Sequence, residues 1–183
     1  MSVKQSAILH ASCVCGNVTF ETSGKPIVSV ECYCTSCREA GRGFERLDGA
    51  PSLVNEDGGT ALIVVRKDRV RCVKGADLLR EHRLSPSSPT RRVVSLCCNS
   101  PMFLDFSKGH WLTMYRNRFI DETPSIEMRV MTGDREPGKK LSDDVPNHAT
   151  HSWKLLIKIL AAWVAMRFRR PEIAYGRTTG VNP

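Results

Sequence analysis

The chain has 183 residues, 41% of them hydrophobic and 25% charged, with a formal net charge of +8. That length sets one domain, or one domain with an appendage, and the apolar content excludes a chain disordered throughout. Eight cysteines are too sparse for a disulfide scaffold, and Met1 to Ala11, with Lys4, Gln5 and Ser6, has no long apolar stretch of the kind an export signal needs.

Clustered cysteines in such a chain read as metal ligands, and a cytoplasmic location is expected. The basic balance admits nucleic acid or an anionic membrane surface as partner, but a solvated basic surface accounts for most of the charge. Nucleic acid is therefore not expected.

In chain order, Ile8 to Ala11 predicts a short strand leading into Ser12-Cys13-Val14-Cys15-Gly16, where Gly16 permits a turn. Val18 to Thr22 alternates Val18 and Phe20 against Thr19 and Glu21, a half-buried strand. After the turn at Gly24-Lys25-Pro26, the β-branched run Ile27 to Val30 predicts another strand. It enters Glu31-Cys32-Tyr33-Cys34-Thr35-Ser36-Cys37-Arg38. Thr35 or Ser36 is the expected helix cap. The following run to Gly43 predicts only a short helix, interrupted by its glycines.

Asp48-Gly49 and Asp57-Gly58-Gly59 mark loops. Ala61 to Val65, Arg69 to Val73, Leu78 to Leu84, Arg92 to Cys98, Met102 to Phe106, Leu112 to Tyr115 and Ile126 to Met131 predict further strands. Many short strands with frequent turns and no long helix before His151 indicate a mainly β, antiparallel domain over residues 1–131. Residues 132–150, with Pro137-Gly138 and Asp143-Asp144, read as a linker or surface excursion, and 151–183 as an amphipathic C-terminal helix and tail. The helix is predicted from Trp153 to Phe168, with Pro171 beyond it and Arg167, Arg169 and Arg170 at its end. Lys154 and Lys158 break its apolar run well short of the roughly 20 residues that span a bilayer. Its broad apolar surface predicts packing on the β domain, on a second copy of the chain or on an anionic membrane.

Three cysteines fall within the six residues Cys32 to Cys37. On a strand, Cys32 and Cys34 point to one face, and modest convergence brings their sulfurs to the roughly 3.8 Å implied by tetrahedral zinc with bonds of about 2.3 Å. Cys37, in the first turn of the helix, adds a third thiolate favoured by the positive helix end. Either the metal keeps a vacant position, as in catalytic zinc sites, or a distant residue closes it. Cys13-Val14-Cys15 repeats the same-face pair.

The ordered motifs Cys13-Val14-Cys15-Gly16, Cys32-Tyr33-Cys34-Thr35-Ser36-Cys37 and Cys98-Asn99-Ser100-Pro101-Met102 resemble the glutathione-dependent formaldehyde-activating enzyme family, which includes the centromere-protein-V domain. The segment from Arg69-Val70-Arg71 through Gly75 and Leu79 is also similar, and the resemblance spans roughly residues 8–115. It implies a small, Mss4-like, antiparallel β fold around two zinc ions. It implies a structural zinc held by Cys13, Cys15 and Cys98, and a catalytic one held by Cys32, Cys34 and Cys37. The implied chemistry is carbon–sulfur bond making or breaking on adducts of glutathione or another small thiol. One departure stands out: Ser95 occupies the position of a family cysteine, and Cys97 sits beside Cys98 instead. Adjacent strand residues face opposite ways, so a turn at Cys98-Asn99 must bring Cys97 to the structural site, or Cys97 reaches the second site and closes it. Asn99 suits a positive-φ position.

Arg38 follows the second site and is expected to attract an anionic substrate or to be solvated. Cys72 is expected to be a buried apolar side chain, His10 a plain strand histidine, Trp111 and Tyr115 core residues or the lining of a pocket, and the Arg91-Arg92 pair exposed. The alternative to a lyase is a zinc-stabilised scaffold that binds a protein partner or an anionic membrane surface through its basic tail.

Overall fold

The structure, a computed structural model, describes residues 8–173 together with 175, 178 and 179. Met1 to Ala7, most of the stretch in which no export signal was expected, and the rest of the tail beyond Ile173 lie outside the described residues.

Strands β1 (Ile8–Ser12), β2 (Thr19–Ser23) and β3 (Val28–Cys32) precede helix α1 (Thr35–Glu45). Strands β4 (Thr60–Arg66), β5 (Val70–Lys74), β6 (Leu79–His82), β7 (Thr90–Ser95), β8 (Pro101–Phe106), β9 (Trp111–Tyr115) and β10 (Met128–Val130) follow. Helix α2 (Trp153–Ala165) and the short β11 (Thr178–Thr179) complete the order. A three-stranded sheet runs β1-β2-β5, and an eight-stranded sheet runs β10-β3-β4-β9-β8-β7-β6-β11. The fold is mainly β with a C-terminal helix, and its pairings are antiparallel except for β10 on β3 and β11 on β6.

Strand β4 explains the layering. Leu62-Ile63-Val64-Val65 is apolar at every position because β4 lies between β3 and β9 with both faces covered. Leu62 and Val64 join a core with Val28, Val30, Phe44 of α1 and Leu155 of α2. Ile63 and Val65 join the opposite core with Phe20, Phe103 and Met114. The large sheet thus carries both helices on one face and the small sheet on the other. Phe20 and Phe103 meet edge to face at 5.3 Å between ring centroids in the second core.

Four local readings are corrected. Helix α1 runs through Gly41 and Gly43 to Glu45 instead of stopping at them. Its buried stripe Cys37-Ala40-Gly41-Phe44 packs on the sheet, and this tertiary burial outweighs the glycines' poor propensity. Its N-cap is Cys34, in extended backbone, whose carbonyl accepts the amides of Cys37 and Arg38, so neither Thr35 nor Ser36 caps it. Helix α2 ends at Ala165, because Arg167 and Phe168 take positive φ angles of 52° and 58°. The Arg91-Arg92 pair is not on the surface. Strand β7 lies inside the sheet, Arg91 pairs with Glu81 at 3.1 Å and with Asp105, and Arg92 is only 3% exposed.

Residues 132–150 are strapped to the edge of the large sheet. The amides of Met131 and Thr132 donate to the carbonyls of Thr150 and His148, and the Arg129 guanidinium reaches Asp144 at 2.8 Å. Lys139 Nζ donates to the Glu56 carbonyl at 2.5 Å.

Gly41 gives a sharp test of how α1 is seated. A Cβ there would sit 2.4 Å from Val54 Cγ2, inside contact distance of a stiff β-branched side chain. Gly41→Ala is expected to destabilise the fold by about 1–3 kcal/mol in denaturant titration, although alanine is the better helix former.

Candidate metal centres

The first cysteine group forms where two turns meet. The Cys13 amide donates to the Val18 carbonyl and Gly16 takes φ 75°, so the Cys13-to-Val18 loop folds back and brings Cys15 beside Cys13, 3.6 Å between sulfurs. After β7 the chain turns at Cys98-Asn99, with Asn99 at φ 50°. The Ser95 amide donates to the Ser100 carbonyl at 2.9 Å and closes that turn. Cys97 Sγ then lies 3.8 Å from Cys13 Sγ and 3.3 Å from Cys15 Sγ, and 3.9 Å from Cys98 Sγ. All four sulfurs lie within 4.8 Å of one another. Adjacent Cys97 and Cys98 therefore share one group because the turn breaks strand alternation between them.

Polar groups converge on these sulfurs. The Val18 amide donates to Cys13 Sγ at 3.2 Å and Asn17 Nδ2 to Cys15 Sγ at 3.4 Å. Buried Ser95 and Ser100 place hydroxyls 3.4 and 3.1 Å from Cys98 Sγ. Burial pushes the Cys98 thiol up, but the Ser100 and Ser95 hydroxyls outweigh it and bring the pKa down to about 5. Burial, followed by the crowded Cys15 and Cys13 sulfurs, pushes Cys97 up to about 12. Burial also raises Cys13. The Cys98 thiolate forms readily while Cys13 and Cys97 resist, as expected when like charges are packed together. Buried Arg118 lies close enough for Cys98 and Cys13 to act on its charge.

The second group sits in the helix-side core. Cys32 follows Val28 and Val30 on one face of β3, Cys34 is the N-cap of α1, and Cys37 is in the buried stripe of α1. Their sulfurs lie within 4.8 Å of one another. The intervening residues point the other way and are anchored. Glu31 pairs with Arg129 of β10 at 2.9 Å, and the Tyr33 hydroxyl reaches Glu31 at 2.9 Å and Asp57 at 2.6 Å. Asn55 Nδ2 donates to the second Glu31 oxygen at 2.5 Å. Hydrogen bonds from the Cys32 and Cys37 thiols lower the Cys34 pKa strongly. The same contact with Cys34 pushes Cys32 up to about 12, and the Cys32 and Cys34 sulfurs raise Cys37 well above the ordinary thiol range.

Both groups suit zinc. Four or three cysteine sulfurs are its usual soft donors, and the 3.3–3.9 Å separations measured in the first group bracket the roughly 3.8 Å of a tetrahedral site. A divalent cation is what makes three or four neighbouring thiolates compatible.

Of the remaining sequence candidates, Cys72 is half-buried and belongs to neither group, its thiol turned to the Lys74 carbonyl at 3.3 Å. His10 pairs with Asp121 at 2.9 Å. Arg38 Nη1 donates to the carbonyls of Tyr33, at 2.5 Å, and of Asp134, so it binds the second group to the 132–150 strap. Tyr115 is buried, and burial together with the Cys37 charge raises its phenol pKa, so it stands protonated beside that group. Sequence patterning marked Tyr115 as a core or pocket-lining residue. The residue that patterning missed is Arg92, whose Nη2 donates to the Ser36 carbonyl at 3.0 Å, one residue before Cys37.

Residues 8–50 match the family described as glutathione-dependent formaldehyde-activating enzyme, a stretch holding Cys13, Cys15 and the whole second group. The likeness read from the cysteine motifs therefore holds over those residues. A solved structure of a Rhodobacter sphaeroides protein is similar at 16% identity and a TM-score of 0.45, covering 63% of this chain and 91% of that one. No curated protein matches the chain.

Metal analysis of the purified protein is expected to return about two zinc ions per chain. Cys13→Ser is expected to lower the thermal midpoint more than Cys37→Ser, because a closed structural site contributes its binding energy directly to folding. Equal losses would make both sites structural.

Proposed function

We propose that the chain is a zinc-dependent, carbon–sulfur lyase-like protein that handles adducts of glutathione or another small thiol at Cys32, Cys34 and Cys37, in the cytoplasm. The observation that carries this reading is the size of that group: among the described residues no fourth Cys, His, Asp or Glu joins its three sulfurs. Three protein ligands make the donor set of a catalytic zinc, and four, as in the Cys13, Cys15, Cys97 and Cys98 group, that of a structural one. Cys97, the residue able to close the second site, lies with Cys15 instead. The match of residues 8–50 to the family adds support.

Cys32, Cys34 and Cys37 would hold the zinc, which would supply Lewis acidity and favour the thiolate form of a bound thiol. The chain's own residues orient that chemistry. Strand β3 and the N-terminus of α1 hold the three sulfurs, and the Glu31–Arg129 pair fixes β3 from its other face. Arg38, steered by its carbonyl contacts, keeps a positive charge beside Cys37 and favours an anionic thiol over a neutral one. Tyr115, buried in the same core as Cys32 and Cys37, keeps its phenolic proton.

Calorimetry on zinc-loaded protein tests this reading. Glutathione is expected to bind with proton release, more tightly as pH rises toward the thiol pKa and more weakly as salt increases. Cys37→Ser removes the binding and Cys72→Ser leaves it intact. Absence of heat, with an unchanged cobalt-substituted spectrum at millimolar thiol, would show a closed site and reject the reading.

A second reading is favoured by α2. His110 Nε2 contacts the Ile159 carbonyl at 2.9 Å, and the His110 ring stacks on Trp163, which docks one side of the helix. The other side exposes Trp153, Leu156, Ile157, Leu160 and Val164, with Trp153 64% exposed. Lys154, Arg167 and Arg169 lie within or just beyond the helix, while Arg170 packs on Trp163 at 4.9 Å. Basic residues thus accompany an exposed apolar face, as in a helix that lies on an anionic membrane surface. No helix among the described residues is long and apolar enough to cross a membrane. Leu156→Glu with Leu160→Glu is expected to abolish co-sedimentation with phosphatidylserine vesicles while leaving the thermal midpoint within a few degrees. Equal sedimentation of both proteins would remove the membrane reading.

A further inference from the structure

Arg92 and His82 are partners across the antiparallel β6–β7 pair, so their side chains leave the same face of the sheet. Both are buried, at 3% and 6% exposure. Arg92 spends Nη2 on the Ser36 carbonyl, whereas its Nε and Nη1 have no hydrogen-bond partner. Neither ring nitrogen of His82 has one. Among the described residues Arg92 makes no ion pair, in contrast to Arg91, which faces the other way and meets two carboxylates. A buried guanidinium without a counter-charge is costly, and so is each unpaired buried donor.

These two side chains line a cavity of about 270 Å³ between α1 and the β6–β7 edge. Ala40, Phe44 and Leu84 form its apolar wall, Arg83 stands with them, and exposed Glu39 and Arg46 lie at the mouth. The volume is below that of pockets for drug-sized ligands, roughly 300–1,000 Å³, and suits a molecule of a few heavy atoms. The Arg92 guanidinium at the buried end stands beside a neutral His82 ring, whose pKa burial and the Arg80 charge lower. A cation there and carbon along the wall call for a short organic acid, and the apolar wall is what such an acid gains over an inorganic anion.

We propose that this cavity is a binding site for a small monocarboxylate, whose carboxylate meets Arg92 and His82 and whose hydrocarbon part lies on Ala40, Phe44 and Leu84. The site is separate from the two cysteine groups and does not depend on the second being open. It touches them only through the Ser36 carbonyl, which ties Arg92 to the helix that carries Cys37.

The test is titration of the full-length, metal-loaded protein with sodium butyrate, followed by calorimetry and by the His82 ring resonances. Butyrate is expected to saturate at millimolar concentration, with butyramide and inorganic phosphate each at least tenfold weaker. Arg92→Gln is expected to weaken butyrate about tenfold or more, as loss of a charge-assisted hydrogen bond should. If that variant does not fold, Glu39→Gln, at an exposed position, is expected to tighten butyrate several-fold and to narrow the margin over phosphate. The proposal is overturned if butyrate fails to saturate, if phosphate or butyramide binds as well as butyrate, or if folded Arg92→Gln binds unchanged. It is equally overturned if Glu39→Gln has no effect, or if binding disappears with the metal while His82→Gln leaves it intact, which would put the anion on the metal.

Discussion

The buried pair of Glu31 and Arg129, 2.9 Å apart, is the interaction on which the second cysteine group depends. A buried ion pair adds little net stability, but removing one partner strands the other charge at a cost of about 3–5 kcal/mol. What the pair supplies is position. Residues alternate across β3 and its extension, so holding Glu31 and Tyr33 on one face aims Cys32 and Cys34 at the other. Asn55, Asp57 and Asp144 complete the anchor from loops far away in the chain. Gly59 belongs to the same arrangement, since a Cβ there would sit 2.8 Å from both Glu31 Cγ and Tyr33 Cζ. The Asp57-Gly58-Gly59 loop is thus kept small where the anchor passes beneath it.

The two cysteine groups lie in different cores of one sheet. Cys13 and Cys98 pack with the small-sheet side, and Cys32 and Cys37 with the helix side. Each core therefore contains a cluster of sulfurs whose ionisation needs compensation. The first has amide and hydroxyl donors around nearly every sulfur, with buried Arg118 nearby. The second has Arg38 at its edge. Denser polar donation thus surrounds the four-sulfur group than the three-sulfur one.

Much of this was legible in the chain itself, wherever local periodicity carried the information. The strands, the Cys32 and Cys34 pair, the helix at Trp153 and the left-handed turn at Asn99 all follow from spacing or from one residue's conformational range. Cys13 and Cys15, in contrast, meet through a turn beyond β1 and not through strand alternation. The errors lie where distant contacts decide. Gly41 and Gly43 read as helix breakers because Val54, which requires Gly41 to lack a side chain, is far away in sequence. Arg91-Arg92 read as surface because nothing local reveals that β7 is an interior strand with carboxylates on only one side. Neighbouring arginines on a strand have opposite environments by geometry, so their chemistry differs even though their sequence context does not.

The adjacent cysteines bring these points together. Cys97-Cys98 on a continuous strand would divide between the two cores, one sulfur to each face. Ending β7 at Ser95 and reversing the chain through Asn99 removes that division and commits both sulfurs to the first group. Ser95, where the family pattern has a cysteine, keeps a place in that group through its hydroxyl, 3.4 Å from Cys98 Sγ. The fourth sulfur is thus supplied from the turn instead of the strand, so the ligand count at the first group is preserved. The same turn withholds Cys97 from the second group, whose cysteine complement stays at three. A conformational preference of one asparagine is therefore what separates a four-sulfur group from a three-sulfur one in this chain.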